Sequence, residues 1–372
     1  MILHLLFDDK FSDYVIEQFA AKDMQSDFVL VSYTRDTKHL KNVDAVRFVN
    51  PNVSSEWEQL LTGINNYSSV IFHGLFHLWQ KRLLDSWPKH VKIAWVCWGG
   101  ELYGQPDIRT SFLKPLSKIA YRLHSLRHLN EKIDDIFPKE ILRKANYCLT
   151  IIEAEYEYAK QYLRTGMQHL SYSYYSIDET LGSLKDARCT GKNIFLGNSA
   201  TIENNHLEIF LRLKSVGNGD KKVVVPLSYG SPWVCNMCLK VGRILFGTNF
   251  KPLLEFMSRE EYNATMLNCA VMIQPHLREQ AHGNIITGLW LGMRVYLCER
   301  GIDYQHFKKM GVLVFCVEKD LCKDNPNAFK PLSEEDVLYN RQLLLQHYGF
   351  ESIKNNLNHI VDILNNKQDS SL

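Results

Sequence analysis

Short apolar runs separated by amphipathic stretches recur along almost the whole chain. Residues 3–7, 28–33, 70–73, 93–98 and 148–152 are apolar nearly throughout, with no polar alternation, so they read as strands buried on both faces. Between them, 14–21, 78–87 and 153–163 repeat apolar residues at helical spacing. Strands of this kind joined by helices imply parallel sheets covered on both sides.

The apolar signal drops over 176–192, where Ser-Ile-Asp-Glu-Thr and Leu-Lys-Asp-Ala-Arg-Cys-Thr-Gly-Lys read as a linker. The pattern then restarts, with strands expected at 193–197, 222–226, 269–274, 295–298 and 312–317. Helices are expected from about Glu203, over 234–245, and from Asn284. Ser258-Arg-Glu-Glu261 is a capping box that opens a further helix, and 333–365 is helical with one polar side. The fold class is therefore α/β: an N-terminal doubly wound half over 1–180, a C-terminal one over 190–350 and a helical tail over 351–372. No internal repeat or low-complexity segment interrupts it.

The length of 372 residues suits two such domains. A hydrophobic share of 45% and a charged share of 23% are those of a globular chain, not a disordered or fibrous one. The formal charge of +2 offers no field for a nucleic-acid partner. No apolar run reaches membrane-spanning length, and the first residues lead straight into Asp8 and Asp9, as a buried strand and not a signal peptide. The nine cysteines mostly sit in apolar runs and read as small buried hydrophobes of a reducing compartment.

In doubly wound sheets, ligands bind beyond the carboxyl ends of strands, so post-strand residues carry the candidate chemistry. Leu196-Gly197-Asn198-Ser199 follows a strand and precedes a helix; it reads either as a phosphate cradle or as a plain turn and N-cap. Pro275-His-Leu-Arg278-Glu-Gln280-Ala-His-Gly283-Asn284 follows another strand and opens an apolar helix. It offers helix-start amides and an arginine to a diphosphate, or is simply a solvated loop. In the first half His73-Gly74 and Trp98-Gly99-Gly100-Glu101 end strands. Each places a titratable group where a general base is needed; taken singly, the simpler reading is a core histidine bonded to backbone and a surface glutamate capping a helix.

Residues 108–130 contain Arg109, Lys114, Lys118, Arg122 and Arg127, two histidines and no acid, with apolar residues at helical spacing. This reads as a membrane-interface helix, with Lys114, Lys118 and Arg122 meeting anionic headgroups, or as a core-packed helix with a basic back. No metal site is expected: the chain has no Asp-x-Asp, and Cys235-Asn-Met-Cys238 lacks a second ligand pair. Neither a G-x-G-x-x-G nor a Walker A loop is present.

Phe72-His73-Gly74, Trp98-Gly-Gly-Glu-Leu-Tyr103, Leu196-Gly-Asn-Ser199, Val223-Val-Val-Pro226 with Tyr229, and Arg278-x-Gln280-x-x-Gly283 together resemble the 4-acetamido-4,6-dideoxygalactose (Fuc4NAc) transferases, glycosyltransferase family 56. These act on polyprenyl-diphosphate-linked sugars in enterobacterial-common-antigen-type pathways. The motifs run in the family's order over about residues 70–310, and position 101 is Glu where the family leads one to expect Asp. The resemblance implies a GT-B hexosyltransferase, two Rossmann-like domains facing a central cleft. Its donor would be a dTDP-4-acetamido-4,6-dideoxyhexose and its acceptor an undecaprenyl-diphosphate-linked glycan.

On that reading Gly197, Asn198, Ser199, Arg278, Gln280, Gly283 and Asn284 hold the donor, and Pro226 and Tyr229 line its base pocket. Glu101, with His73 as substitute or helper, deprotonates the acceptor. No cofactor and no nucleic acid is called for, and the enzyme is expected as a peripheral protein on the cytoplasmic face of the bacterial inner membrane. The sequence sets no oligomeric state. The rivals are the same architecture with another nucleotide-sugar donor in capsule or O-antigen assembly, a sugar-nucleotide epimerase, and a non-catalytic scaffold.

Overall fold

A computed structural model describes residues 1–20, 24–127 and 137–365. Residue 21 of the expected first helix, 128–130 of the basic stretch and 366–372 of the tail lie outside the described residues. The chain divides into two compact units. The first comprises Met1–Gln105, Ile133–Ser176 and Phe350–Leu372; the second comprises Pro106–Lys132 and Ile177–Gly349, each so far as it is described.

In the first unit seven strands form one sheet: β1 (Ile2–Leu6), β2 (Ser26–Val31), β3 (Arg47–Val49), β4 (Ser69–His73), β5 (Lys92–Val96), β6 (Tyr147–Thr150) and β7 (Gln168–Ser171). Their order is β3-β2-β1-β4-β5-β6-β7, every pair parallel. The second unit's sheet has six: β8 (Asn193–Leu196), β9 (Val223–Pro226), β10 (Phe250–Leu253), β11 (Cys269–Gln274), β12 (Arg294–Leu297) and β13 (Phe315–Cys316), in the order β10-β9-β8-β11-β12-β13 and again parallel throughout. Both sheets run outward from a first strand, then return to its other side. The order therefore reverses between β1 and β4 in one unit and between β8 and β11 in the other, the place where doubly wound sheets open a crevice.

The strands that the apolar pattern did not announce are β3, β7 and β10. All lie toward or at a sheet edge, where one side is not pressed into a core and polar residues cost little. Pro252 in β10 is tolerated for the same reason, since an edge strand has a side with no ladder to complete.

The units differ from the expected division in three places. The stretch expected as a linker belongs to the second unit from Ile177 and opens with the Ile177–Leu181 helix; the other two differences have a packing cause. The Phe350–Asn365 helix, expected as part of a tail, closes the core of the first unit. Ile353, Leu357, Ile360, Val361 and Leu364 form one buried stripe that packs with Ile2, Ile71, Leu149 and Leu170 of the strands. The basic stretch, expected in the N-terminal domain, belongs to the second unit. Asn205 accepts a hydrogen bond from the Lys114 amide at 2.7 Å, and Ser117 donates through both its amide and its hydroxyl to Glu208 at 2.9 and 2.7 Å.

Replacing Ile360, fully buried among these strands, with Ala is expected to cost about 2–5 kcal/mol. Urea unfolding followed by circular dichroism checks this, and a loss below 1 kcal/mol would mean that the helix is not part of the core.

Candidate active site

The loops after β8, β9 and β11 meet at the second unit's reversal point. Gly197 follows β8 with φ +69°, and a Cβ there would lie 2.8 Å from Nε2 of His206 and 3.0 Å from Oδ1 of Asn204, so both conformation and space require glycine. Asn198, next in line, is buried and joins the three loops. Its Nδ2 donates to the Tyr229 hydroxyl at 3.0 Å, and its Oδ1 accepts from Nε2 of Gln280 at 2.9 Å. Ser199 is buried and accepts from Nδ2 of Asn204 at 3.1 Å. The Ala200 amide donates to the Tyr229 carbonyl at 2.7 Å, and the Ser231 amide to the Ala200 carbonyl at 2.9 Å, stitching the first two loops together.

Five residues expected at the donor site, Gly197, Asn198, Ser199, Tyr229 and Gln280, are thus brought together from loops up to 83 positions apart. Pro226 is buried at the end of β9, beneath them. Tyr229 itself is half exposed and stacks on Phe256, with ring centroids 6.1 Å apart and planes 14° from parallel, forming an open aromatic face.

Two helices begin at this place, and each is entered through a non-glycine residue in the left-handed region: Asn205 (φ +47°) before the His206–Val216 helix and Ala281 (φ +58°) before the His282–Trp290 helix. Such conformations cost about 1–3 kcal/mol each and gather where a ligand is clamped. The first amides of the second helix, at His282, Gly283 and Asn284, have no intrahelical acceptor. The Asn284 side chain is turned aside to Tyr262 at 2.9 Å, so Asn284 offers its main chain and not its amide group. Arg278 lies half-buried on the same loop and donates to the Glu279 carbonyl at 2.9 Å.

Sequence reading passed over three features here. Asn204 and His206, in the polar run Asn-Asn-His after the glycine loop, lie directly under Gly197. Burial pushes the His206 imidazole down to about 4, and neither ring nitrogen has a hydrogen-bond partner. The third is a group formed by Glu279, His282 and Asp303, each offering one ligand atom within 4.8 Å of the others.

In the first unit Glu101 lies on the one-turn Gly100–Tyr103 helix after β5 and is only 3% exposed. Oε1 accepts from Nε1 of Trp95 at 2.8 Å and from the Trp98 amide at 3.1 Å, while Oε2 has no hydrogen-bond partner. Burial raises its pKa to about 7, against the opposing pull of Trp95 and of the main-chain amides of Trp98, Glu101 and Leu75. That is the range in which a carboxyl can both take and give a proton at neutral pH.

His73 has a different character from the one expected. It is a core residue with both ring nitrogens engaged: Nε2 is 3.2 Å from Nδ1 of His4, and Nδ1 is 3.2 Å from the Tyr174 hydroxyl. The Trp98 indole donates to that hydroxyl at 2.6 Å, and Nε2 of His4 is 3.3 Å from the Ser26 hydroxyl. One set of neutral tautomers satisfies the whole chain: Trp98 to Tyr174, Tyr174 to His73, His73 to His4, His4 to Ser26. Burial accordingly drives His73 down to about 3. With both ring nitrogens engaged inside the core, His73 is not free to act as the helper base, whereas Glu101 keeps one buried carboxylate oxygen, Oε2, without a hydrogen-bond partner.

The Pro115–Arg127 helix turns Ser117 and His124 inward, the latter stacked on Trp233 at 4.3 Å. Its opposite stripe, Leu116, Ile119, Leu123 and Leu126, is 39–64% exposed, with Lys118 and Arg122 along one flank. Lys114 does not join them, because its ammonium is ion-paired with Glu318 and largely covered. Among the described residues no helix is long and apolar enough to cross a membrane.

No family model and no curated protein matches the sequence. Solved structures do. A glycosyltransferase from Rickettsia africae aligns over 100% of this chain and 99% of its own, with 10% identity and a TM-score of 0.60. The E. coli trehalose-6-phosphate protein bound with UDP-2-fluoro glucose aligns over 99% of both chains, with 10% identity and a TM-score of 0.59. An O-GlcNAc transferase mutant from Thermobaculum terrenum covers 98% of this chain and 67% of that one, with 11% identity and a TM-score of 0.62. The fold is that of GT-B glycosyltransferases, two Rossmann-like domains.

The raised pKa of Glu101 sets a pH signature. The native carboxyl holds its proton up to about pH 7 and the unfolded one only to about 4.5, so stability falls as pH rises between those values, by about 3 kcal/mol in all. Glu101→Gln, which keeps the acceptor for Trp95, is expected to flatten that fall. Urea midpoints measured from pH 4.5 to 8 check it; parallel curves for the two proteins would remove the shifted carboxyl.

Proposed function

We propose that the chain is a GT-B glycosyltransferase that transfers a 4-acetamido-4,6-dideoxyhexose from a dTDP-sugar to an undecaprenyl-diphosphate-linked saccharide in bacterial surface-polysaccharide assembly. The observation that carries the proposal is the convergence of Gly197–Ser199, Tyr229 and Gln280 at the β8/β11 reversal, tied through Asn198. The fold supports the reaction class, and the motif resemblance supports the particular sugar pair.

In this reading the donor diphosphate lies against the Gly197 turn and the amides of His282, Gly283 and Asn284. Arg278 balances the charge of the departing nucleoside diphosphate. The exposed Tyr229–Phe256 face stacks the base. On the first unit Glu101 accepts the acceptor hydroxyl's proton, its free Oε2 being the basic atom. A UDP-sugar is the second reading of the donor, favoured by the neighbour bound with UDP-2-fluoro glucose. We further propose that the apolar stripe of the Pro115–Arg127 helix, with Lys118 and Arg122, lies in the anionic interface of the cytoplasmic leaflet, near a polyprenyl-linked acceptor.

Calorimetric titration with dTDP, UDP and GDP is expected to rank dTDP first. Arg278→Ala should weaken binding by about tenfold or more, the loss of one charge-assisted contact. Glu101→Gln should keep that affinity while transfer is lost. Equal, unmeasurable binding of all three nucleotides would end the donor assignment.

Vesicle sedimentation tests the membrane reading. Ile119→Glu combined with Leu123→Glu should release the protein from anionic liposomes, while Lys114→Gln should leave sedimentation unchanged because Lys114 is spent on Glu318. Undiminished sedimentation of the double variant would make the helix purely structural.

A further inference from the structure

We propose that Glu279, His282 and Asp303 form a binding site for a divalent first-row transition-metal ion, zinc being the probe of choice. The three residues come from the loop after β11, the first turn of the His282–Trp290 helix and the first turn of the Ile302–Lys309 helix. Their ligand atoms already lie within 4.8 Å of one another. Zinc bonds of about 2.0–2.2 Å place neighbouring donors of a tetrahedron roughly 3.3–3.6 Å apart, so side-chain shifts of about an ångström complete the set.

The charge arrangement calls for a cation. Asp303 is only 2% exposed, yet neither carboxylate oxygen has a hydrogen-bond donor. Its nearest counter-groups are two histidines outside hydrogen-bond geometry, and a carboxylate taken from water with such loose pairing costs several kcal/mol. Nδ1 of His276 approaches to 3.3 Å but is hydrogen-bonded to the Arg278 carbonyl at 3.0 Å, and Nδ1 of His282 stops at 3.7 Å. Glu279 adds a second carboxylate to the same place. Both ring nitrogens of His282 are without hydrogen-bond partners, while the ring itself is fixed in orientation. It stacks on Phe307 at 5.5 Å and meets the edge of Tyr348 at 5.2 Å. An imidazole beside two carboxylates is a donor set for zinc, manganese or iron and poorly suited to magnesium or calcium. Three protein ligands leave one position for water or an anionic ligand.

Such an ion would pin the loop carrying Arg278 and Gln280 to the Ile302–Lys309 helix, reinforcing the main-chain bond from the Ile302 amide to the Leu277 carbonyl at 3.1 Å. The absence of Asp-x-Asp therefore does not leave this half without a metal site, because the ligands are separated by up to 24 positions.

The test uses the full chain, stripped with a chelator, dialysed and titrated at neutral pH. One equivalent of zinc should bind by calorimetry and raise the Tm. Cobalt should give ligand-field bands without the thiolate-to-cobalt charge-transfer band that binding at the free cysteines would produce. Asp303→Asn and His282→Gln should each cut zinc affinity on the order of 100-fold or more. Glu279→Gln, at a partly exposed position, provides a variant that folds irrespective of the buried pair, with far-UV circular dichroism as the check.

Absence of stoichiometric zinc would overturn the proposal and leave protonated His276 and His282 as the counter-charge. A thiolate band, or affinity unchanged in all three variants, would overturn it equally. None of these readouts involves a nucleotide, so the donor assignment stands or falls separately.

Discussion

The second unit depends on how a parallel sheet ends at the point where its strand order reverses. Neighbouring connections leave β8 and β11 in opposite directions, so the loops beyond them have no common element to hold them. Asn198 supplies the tie: one buried amide group spends its donor on Tyr229 and its acceptor on Gln280. Asn205 repeats the device one helix start later. Its Nδ2 reaches the carbonyls of Glu203 at 2.7 Å and Pro275 at 3.2 Å, while its Oδ1 holds the Lys114 amide. Buried side-chain amides of this kind are costly unless satisfied on both atoms, and for that reason they fix a single arrangement.

The first unit shows two ways of keeping polar groups inside. The Trp98–Tyr174–His73–His4–Ser26 chain is closed: every ring nitrogen in it has a partner inside the core. Glu101 is equally buried but incompletely satisfied, with one oxygen fastened by Trp95 and Trp98 and the other without a hydrogen-bond partner. Two groups that look alike in the sequence, each a titratable residue beside glycine after a strand, therefore have opposite chemical capacity. The difference lies in who sits opposite them in space.

That contrast also explains what the sequence could convey. Buried strands such as β4 and β11 are apolar on both faces and announce themselves, as does the capping box at Ser258, whose two hydrogen bonds are both formed. The Gly197 turn was legible as a post-strand glycine, and its positive φ fits that reading. Edge strands β3, β7 and β10 were not, because their pattern is diluted by solvent on one side. Pairings such as Asn198 with Gln280, or Asp303 with His282, depend on which strand lies beside which, and no local spacing encodes that. The same is true of Lys114, basic in its own segment yet neutralised by Glu318, 204 positions later.

The placement of the Phe350–Asn365 helix has a consequence for biosynthesis. Five of its side chains complete a core whose other buried walls are laid down by residues up to Tyr172. During translation the leading sheet emerges early but keeps an uncovered hydrophobic flank until the Phe350–Asn365 segment has also left the ribosome. Premature termination anywhere upstream would expose that flank permanently, making truncated chains substrates for chaperones and proteases.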